Sequence, residues 1–320
     1  LIGGSYPPVS EQKREELELK KAKEAATQNM SAQILQMHHL DTQKQPMHEV
    51  FGLPQSPETM LPSTNGKPAN PIRISVVVNL AQEDAECVPA VDEDYVFRVD
   101  ELKPIMLGLE MNMPVLLWGY HGTGKTTQVE QVCARTNRPW VRVQHTDTTE
   151  EAHIIGQMVV RDGATHFEYG PLAEAMRRGW VYVADEYDFA HPAVIAVYQP
   201  VLEGKPLYIK EAPIGMRQII PHPNFRFMAT GNTNGSGDES GLYSGTKIGN
   251  AASYSRFGVT VQIHYPERDV EMAILRKRVG ANQEIAEKMV NIATDIRDLF
   301  AKGELSLPIS PRELIGACKI

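Results

Sequence analysis

The stretch Val115-Leu-Leu-Trp118 runs directly into Gly119-Tyr-His-Gly-Thr-Gly-Lys-Thr-Thr127, and few folds accommodate that succession. The apolar run reads as a buried strand, and a helix is expected to begin near Lys125. A glycine-rich turn between strand and helix can aim several backbone N–H groups at one anion. Gly119, Gly122 and Gly124 permit the close approach and unusual dihedrals that such a turn requires. The feature predicts a phosphate loop spanning Gly119, Tyr120, His121, Gly122, Thr123, Gly124, Lys125, Thr126 and Thr127. Lys125 is expected to bridge the β- and γ-phosphates of ATP, and the Thr126 hydroxyl to ligate Mg²⁺.

The surrounding pattern predicts an α/β fold. From Ile72 onward, short β-branched runs alternate with helical segments, as in a parallel sheet covered by helices. Strands are expected at 115–118, 140–143, 181–184, 225–229 and 259–263, making a five-stranded parallel sheet. After Pro266 the apolar residues recur at helical spacing in 270–279 and 284–300, which predicts a small helical subdomain.

Residues 1–70 are different, being rich in Lys, Glu, Gln, Pro and Ser. The charged stretch 11–26 reads either as a solvated helix on a flexible leader or as a partner-binding segment. Ile34, Leu35, Met37 and Leu40 would supply its apolar face. Residues 54–71 read as a linker. Three parts are therefore expected: an arm over 1–70, an α/β nucleotide-binding core over 71–265 and a helical lid over 266–320. The chain begins at Leu1 and stops at Ile320 inside an apparently helical stretch, so a longer parent protein is expected.

The formal charge of -8 gives no overall electrostatic reason to bind nucleic acid or an anionic membrane. No apolar run approaches the roughly 18 residues of a membrane span. Cys87, Cys133 and Cys318 lack disulfide or zinc-ligand spacing, which fits a reducing cytoplasm. The histidines show no helical ligand pair within a carboxylate cluster, so no transition metal is assigned.

Residues 181–188 read Val-Tyr-Val-Ala-Asp-Glu-Tyr-Asp, an apolar strand that delivers two carboxylates at its C-terminal end. Parallel sheets place their ligand chemistry there. Asp185 is expected to hold Mg²⁺ and Glu186 to act as general base toward water. Asp188 reads as a cap for the following helix. The next strand ends at Thr230-Gly-Asn232, which makes Asn232 a candidate to orient the attacking water.

With these residues in view, the sequence resembles the MoxR-type AAA+ ATPases, and among them the CobS-like branch of cobaltochelatase ATPase subunits. The resemblance spans roughly residues 95–257. It rests on Gly119–Lys125, Val159–Gly163, Asp185–Asp188, His222–Arg226 and Gly241–Thr246, with Glu49–Leu53 upstream. It implies a P-loop AAA+ core with a lid, assembled as a hexameric ring with ATP at subunit interfaces. It also implies that Arg256 is an arginine finger, although Ser255 stands where the family commonly has Asp. Arg312, after Pro311, matches the sensor 2 arginine at the start of a lid helix. Residues 154–169 resemble the helix 2 insert and 207–221 the pre-sensor 1 hairpin, loops that face the pore or the partner.

The expected function is ATP hydrolysis coupled to remodelling of a client protein, one that carries a von Willebrand-type metal-binding domain. Membership of a true cobaltochelatase is a narrower alternative. A nucleotide-gated scaffold and a DNA-associated motor are rivals. Intact Glu186, Asn232 and Arg256 speak against the first, and the acidic balance against the second.

Overall fold

The computed structural model describes Lys20 and residues 40–62, 69–235 and 251–319. The tract 241–246, and the arm before Leu40 apart from Lys20, lie outside the described residues.

The segment after Leu40 joins the folded body. Strand β1 (Asp41–Pro46) pairs antiparallel with β2 (Arg73–Val78), Asp41 lying opposite Val78 and Pro46 opposite Arg73. A single helical turn, α1 (Met47–Val50), follows β1, and Met47 and Phe51 are buried with the core of the main sheet. Apolar residues at 47, 50, 51 and 53 cannot stay solvated cheaply, which is why this part of the arm docks. Asn224 Nδ2 fixes its start by donating to the Leu40 carbonyl at 2.7 Å. The expected linker is also partly structured, since Met60 bridges Pro71.

The core begins with α2 (Val99–Glu110), β3 (Val115–Trp118), α3 (Lys125–Arg135) and β4 (Trp140–Gln144). A short helix α4 (Glu151–Ile155) leads into the hairpin β5 (Gly156–Arg161) and β6 (Ala164–Tyr169). Helix α5 (Pro171–Arg178), strand β7 (Val181–Asp185) and helix α6 (Pro192–Leu202) come next. A small antiparallel pair, β8 (Leu207–Tyr208) and β9 (Gln218–Ile219), precedes β10 (Arg226–Gly231) and β11 (Val259–Gln262). Both expected inserts are therefore hairpins. The turn of the first uses Asp162 and Gly163 at φ 52° and 75°, the positive dihedrals that tight hairpins select.

The five core strands are parallel, in the order β11-β3-β10-β7-β4. Every residue of the central strands β7 and β10 is buried, as expected of strands covered on both faces. Alternation divides their side chains. Val115, Leu117, Val181, Val183 and Met228 pack with α2, α3 and the docked Met47 and Phe51. Leu116, Tyr182, Ala184, Phe227 and Ala229 pack with α4, α5 and α6.

The His222–Arg226 tract acquires a structural reason here. Arg226 is buried and donates to the carbonyls of Leu109, Pro223 and Phe225 and to Asn112 Oδ1, tying the start of β10 to the end of α2. Burial pulls its pKa down to about 10.

The C-terminal region forms its own small core. Helices α7 (Arg268–Val279), α8 (Gln283–Ala301) and α9 (Pro311–Ala317) enclose Leu275, Ala286, Val290, Ala293 and Leu314. No helix among the described residues is long and apolar enough to cross a membrane.

Candidate functional site

The loop that follows β3 closes on itself around Lys125. Its ammonium donates to the carbonyls of Gly119 at 2.7 Å and Tyr120 at 2.9 Å, and to Asn232 Oδ1 at 3.2 Å. Two motifs distant in sequence meet at this one nitrogen. Burial depresses the Lys125 pKa to about 8, against the opposing pull of Asp188, Asp185 and Glu186. Thr123 Oγ1 donates to the Tyr120 carbonyl at 2.9 Å and tightens the turn.

Two glycines are required by space. Gly119, at φ 150°, would place a Cβ 2.2 Å from the Ile263 carbonyl oxygen; Gly122, at φ 75°, would place one 2.3 Å from Ser310 Cβ. Gly124 caps α3 at φ 91° and faces open space, so only its dihedral argues for glycine.

The acidic pair stands at the C-terminal end of β7, beside this loop. Thr126 Oγ1 donates to Asp185 Oδ1 at 2.8 Å, and the Thr230 hydroxyl donates to the same oxygen. Arg142 Nε donates to Asp185 Oδ2 at 2.7 Å and Gln144 Nε2 to Glu186 Oε2 at 3.4 Å. Arg142 and Gln144 share one face of β4, two residues apart, so a single strand serves both carboxylates. Beneath them His145 Nδ1 meets the Asp185 carbonyl at 2.9 Å and Nε2 meets the Tyr198 hydroxyl at 2.8 Å. Burial lowers the His145 pKa. Glu186 is half-buried and sits at φ 54°, a conformation a non-glycine residue adopts at a cost.

Asp188 corrects an expectation. The cap of α6 is His191, whose Nδ1 accepts from Ala193 N at 3.4 Å. Asp188 is instead buried, and its Oδ2 accepts from the backbone N–H groups of Asn232 and Thr233 at 2.8 and 3.0 Å. It belongs to the site as the brace of the Asn232 turn. The sequence signal was an apolar neighbourhood unsuited to an exposed cap.

A cavity of about 280 Å³ lies between the loop and the lid. Gly122, Thr123, Gly124 and Thr127 form one wall, Asp94, Tyr95 and Val96 a second, and Val270, Ile274 and Arg312 of α7 and α9 a third. Arg312 is thus brought to the loop. Asp94–Val96 and the apolar lid residues carried no motif and were not legible in advance.

Arg256 pairs with a residue at the end of α6. Its Nε donates to Glu203 Oε1 at 2.8 Å. Glu203 is the residue that follows the last turn of α6.

Thr126 and Asp185 offer the hard oxygen donors that suit Mg²⁺, and Thr230 completes an oxygen-lined corner. A glycine-rich turn, a buried lysine, an acidic pair and a largely apolar cavity thus converge at the C-terminal ends of the inner strands. Among the described residues no group of three or more His, Cys, Asp or Glu side chains is placed to hold a metal ion.

Comparison with known proteins agrees with this geometry. Residues 114–247 match the family described as AAA domain (dynein-related subfamily), and residues 271–320 match CbbQ/NirQ/NorQ C-terminal. The chain is 38% identical over 239 residues to the aerobic cobaltochelatase subunit CobS of Sinorhizobium sp, covering 71% of each chain. It is 28% identical to protein NorQ of Paracoccus denitrificans over 71% of this chain and 80% of that one. It is 26% identical to the von Willebrand factor A domain-containing protein 8 of Mus musculus, over 77% of this chain but only 13% of that protein. By its loop, its sheet, its lid and these relatives, the chain belongs to the MoxR-type AAA+ ATPases, in the company of CobS.

Proposed function

We propose that the chain hydrolyses ATP with Mg²⁺ inside a hexameric ring and uses the cycle to remodel a partner protein. The observation that carries this reading is the meeting of Lys125 with Asn232 and of Thr126 with Asp185 at the C-terminal ends of the inner strands. The loop N–H groups and Lys125 bind the phosphates, and the cavity beside Asp94–Val96 takes the nucleoside. Arg312 reaches the phosphates from the lid. Thr126 and Asp185 would hold Mg²⁺, which supplies charge neutralisation to the phosphates when bound. Glu186 accepts the proton of the attacking water, and Asn232 orients that water.

Arg256 acts on the neighbouring subunit. Its match to the family's arginine finger, and its pairing with Glu203 at the end of α6, support a role in trans, where a guanidinium neutralises charge on the transferred phosphoryl group. The hairpins β5–β6 and β8–β9 carry exposed Met158, Val160, Tyr208 and Ile214, apolar side chains fit to engage a client. The likeness to a von Willebrand factor A domain-containing protein supports a client or adaptor with that domain. The likeness to CobS favours a second reading, in which the motor serves cobalt insertion by a chelatase. The free cysteines fit a reducing cytoplasm.

The test is phosphate release by the purified chain, with Glu186→Gln as control. Release from the parent and none from the variant supports hydrolysis. Equal rates would remove it and leave a nucleotide-gated scaffold; stimulation by DNA would revive the DNA-motor rival.

A further inference from the structure

The phosphate loop is gripped from outside by residues of the lid and of the segment that leads into it. Tyr120 is 44% exposed, yet its ring lies parallel to that of Tyr265, with 6.2 Å between centroids and 9° between planes. The same ring meets the edge of Phe300 in α8 at 5.7 Å. The Tyr265 hydroxyl donates to the His121 carbonyl at 3.1 Å. One residue further on, Gly122 lies so close to Ser310, the N-cap of α9, that no Cβ would fit between them. Three successive loop residues thus touch Tyr265 in the connection to the lid, α8 and the start of α9.

Tyr265 is itself anchored. The Arg297 guanidinium lies 4.2 Å from its ring centroid. Arg297 in turn donates through Nη1 and Nη2 to Glu271 at 2.8 and 2.7 Å, and through Nε to the Ile309 carbonyl at 2.9 Å. Glu271 is 1% exposed. A buried bidentate pair of this kind adds little net stability, because desolvation offsets its attraction, but it fixes position. The position it fixes is that of the ring above it.

On the inner side, the Tyr120 carbonyl accepts from Lys125 Nζ. A continuous series therefore runs from Glu271 through Arg297 and Tyr265 to the Tyr120–His121 segment and on to Lys125. We propose that Tyr265, steadied by the Glu271–Arg297 pair, is a positioning residue for the phosphate loop. It holds the Tyr120–His121 segment in the form that presents Lys125 to the β-phosphate, so that lid placement and polyphosphate binding are one equilibrium. The proposal rests on the nucleotide reading of this site.

The test uses the full chain and a fluorescent ADP analogue, displaced by ADP and separately by AMP. Tyr265→Phe keeps the ring and removes the donor; Tyr265→Ala removes both. ADP affinity is expected to fall about three-fold and about ten-fold respectively, the loss of one hydrogen bond and then of one ring contact as well. AMP, which has no β-phosphate and reads chiefly the cavity walls, should change by about two-fold or less in both variants. Arg297→Met should reproduce the Tyr265→Phe effect. Equal losses for AMP and ADP would mean that the lid had merely loosened, and would overturn the proposal. Unchanged ADP affinity in Tyr265→Phe and Tyr265→Ala would overturn it too. Failure of the parent chain to bind ADP is a separate outcome, which removes the nucleotide site itself and the proposal with it.

Discussion

Asp188 accepts the backbone N–H of Asn232 at 2.8 Å from a buried position, so the loop after the acidic pair and the polar end of the next strand are one unit. Asp188→Ala leaves the N–H groups of Asn232 and Thr233 without an acceptor. The expected cost is about 2–4 kcal/mol of stability, the range for orphaned buried donors. Urea unfolding of parent and variant measures it, and a change below about 0.5 kcal/mol would show that the brace is dispensable.

Lys125 should make nucleotide binding pH-dependent. Its native pKa is about 8, lowered by desolvation, whereas an unfolded lysine titrates near 10.4. Between these values the unfolded chain holds a proton that the native nucleotide-free chain has released, so this residue's contribution to stability rises with pH across the window. Phosphate needs the charged form. ADP affinity is therefore expected to weaken as pH climbs past about 8, and fluorescence titrations from about pH 7 to about pH 9 would detect it. A level profile would contradict the assignment.

The loop glycines should differ from one another. Gly119→Ala drives a methyl group into the Ile263 carbonyl, a backbone atom that cannot swing aside. Gly124→Ala meets open space and bears only its positive φ. The first is expected to cost more than about 2 kcal/mol and the second about 1 kcal/mol. Thermal unfolding of both variants checks the order.

Arg256 and Glu186 should separate in mixed assemblies. Glu186→Gln is expected to lower turnover by about 10² to 10⁴ while leaving ATP binding intact. Arg256→Ala should lower turnover by about 10³ to 10⁵. Mixing the two variants pairs an intact Glu186 with a neighbour's intact Arg256 at some interfaces and restores phosphate release. If mixing restores nothing, Arg256 does not act in trans.

The phosphate loop, the acidic pair and the five strands were legible in the residues because each is a local pattern. Glycine spacing, an apolar run and adjacent carboxylates carry their own stereochemistry. Even the strand boundaries differ only slightly, β10 running Arg226–Gly231 where 225–229 was expected. The docking of Met47 and Phe51 was half legible, since the tract 49–53 already resembled the family while its composition suggested a loose arm.

What a linear pattern could not show was which side chains cross between elements. Arg142 and Gln144 reach the acidic pair only because β4 lies beside β7, and Asp188 braces Asn232 only because β10 lies on the other side of β7. Tyr120 looks like one more loop residue until Tyr265, backed by Arg297, and Phe300 close around it. Local sequence specifies dihedrals, periodicity and turns through interactions among near neighbours. Contacts between distant residues depend on strand order and lid placement, which emerge when the whole apolar surface is buried at once.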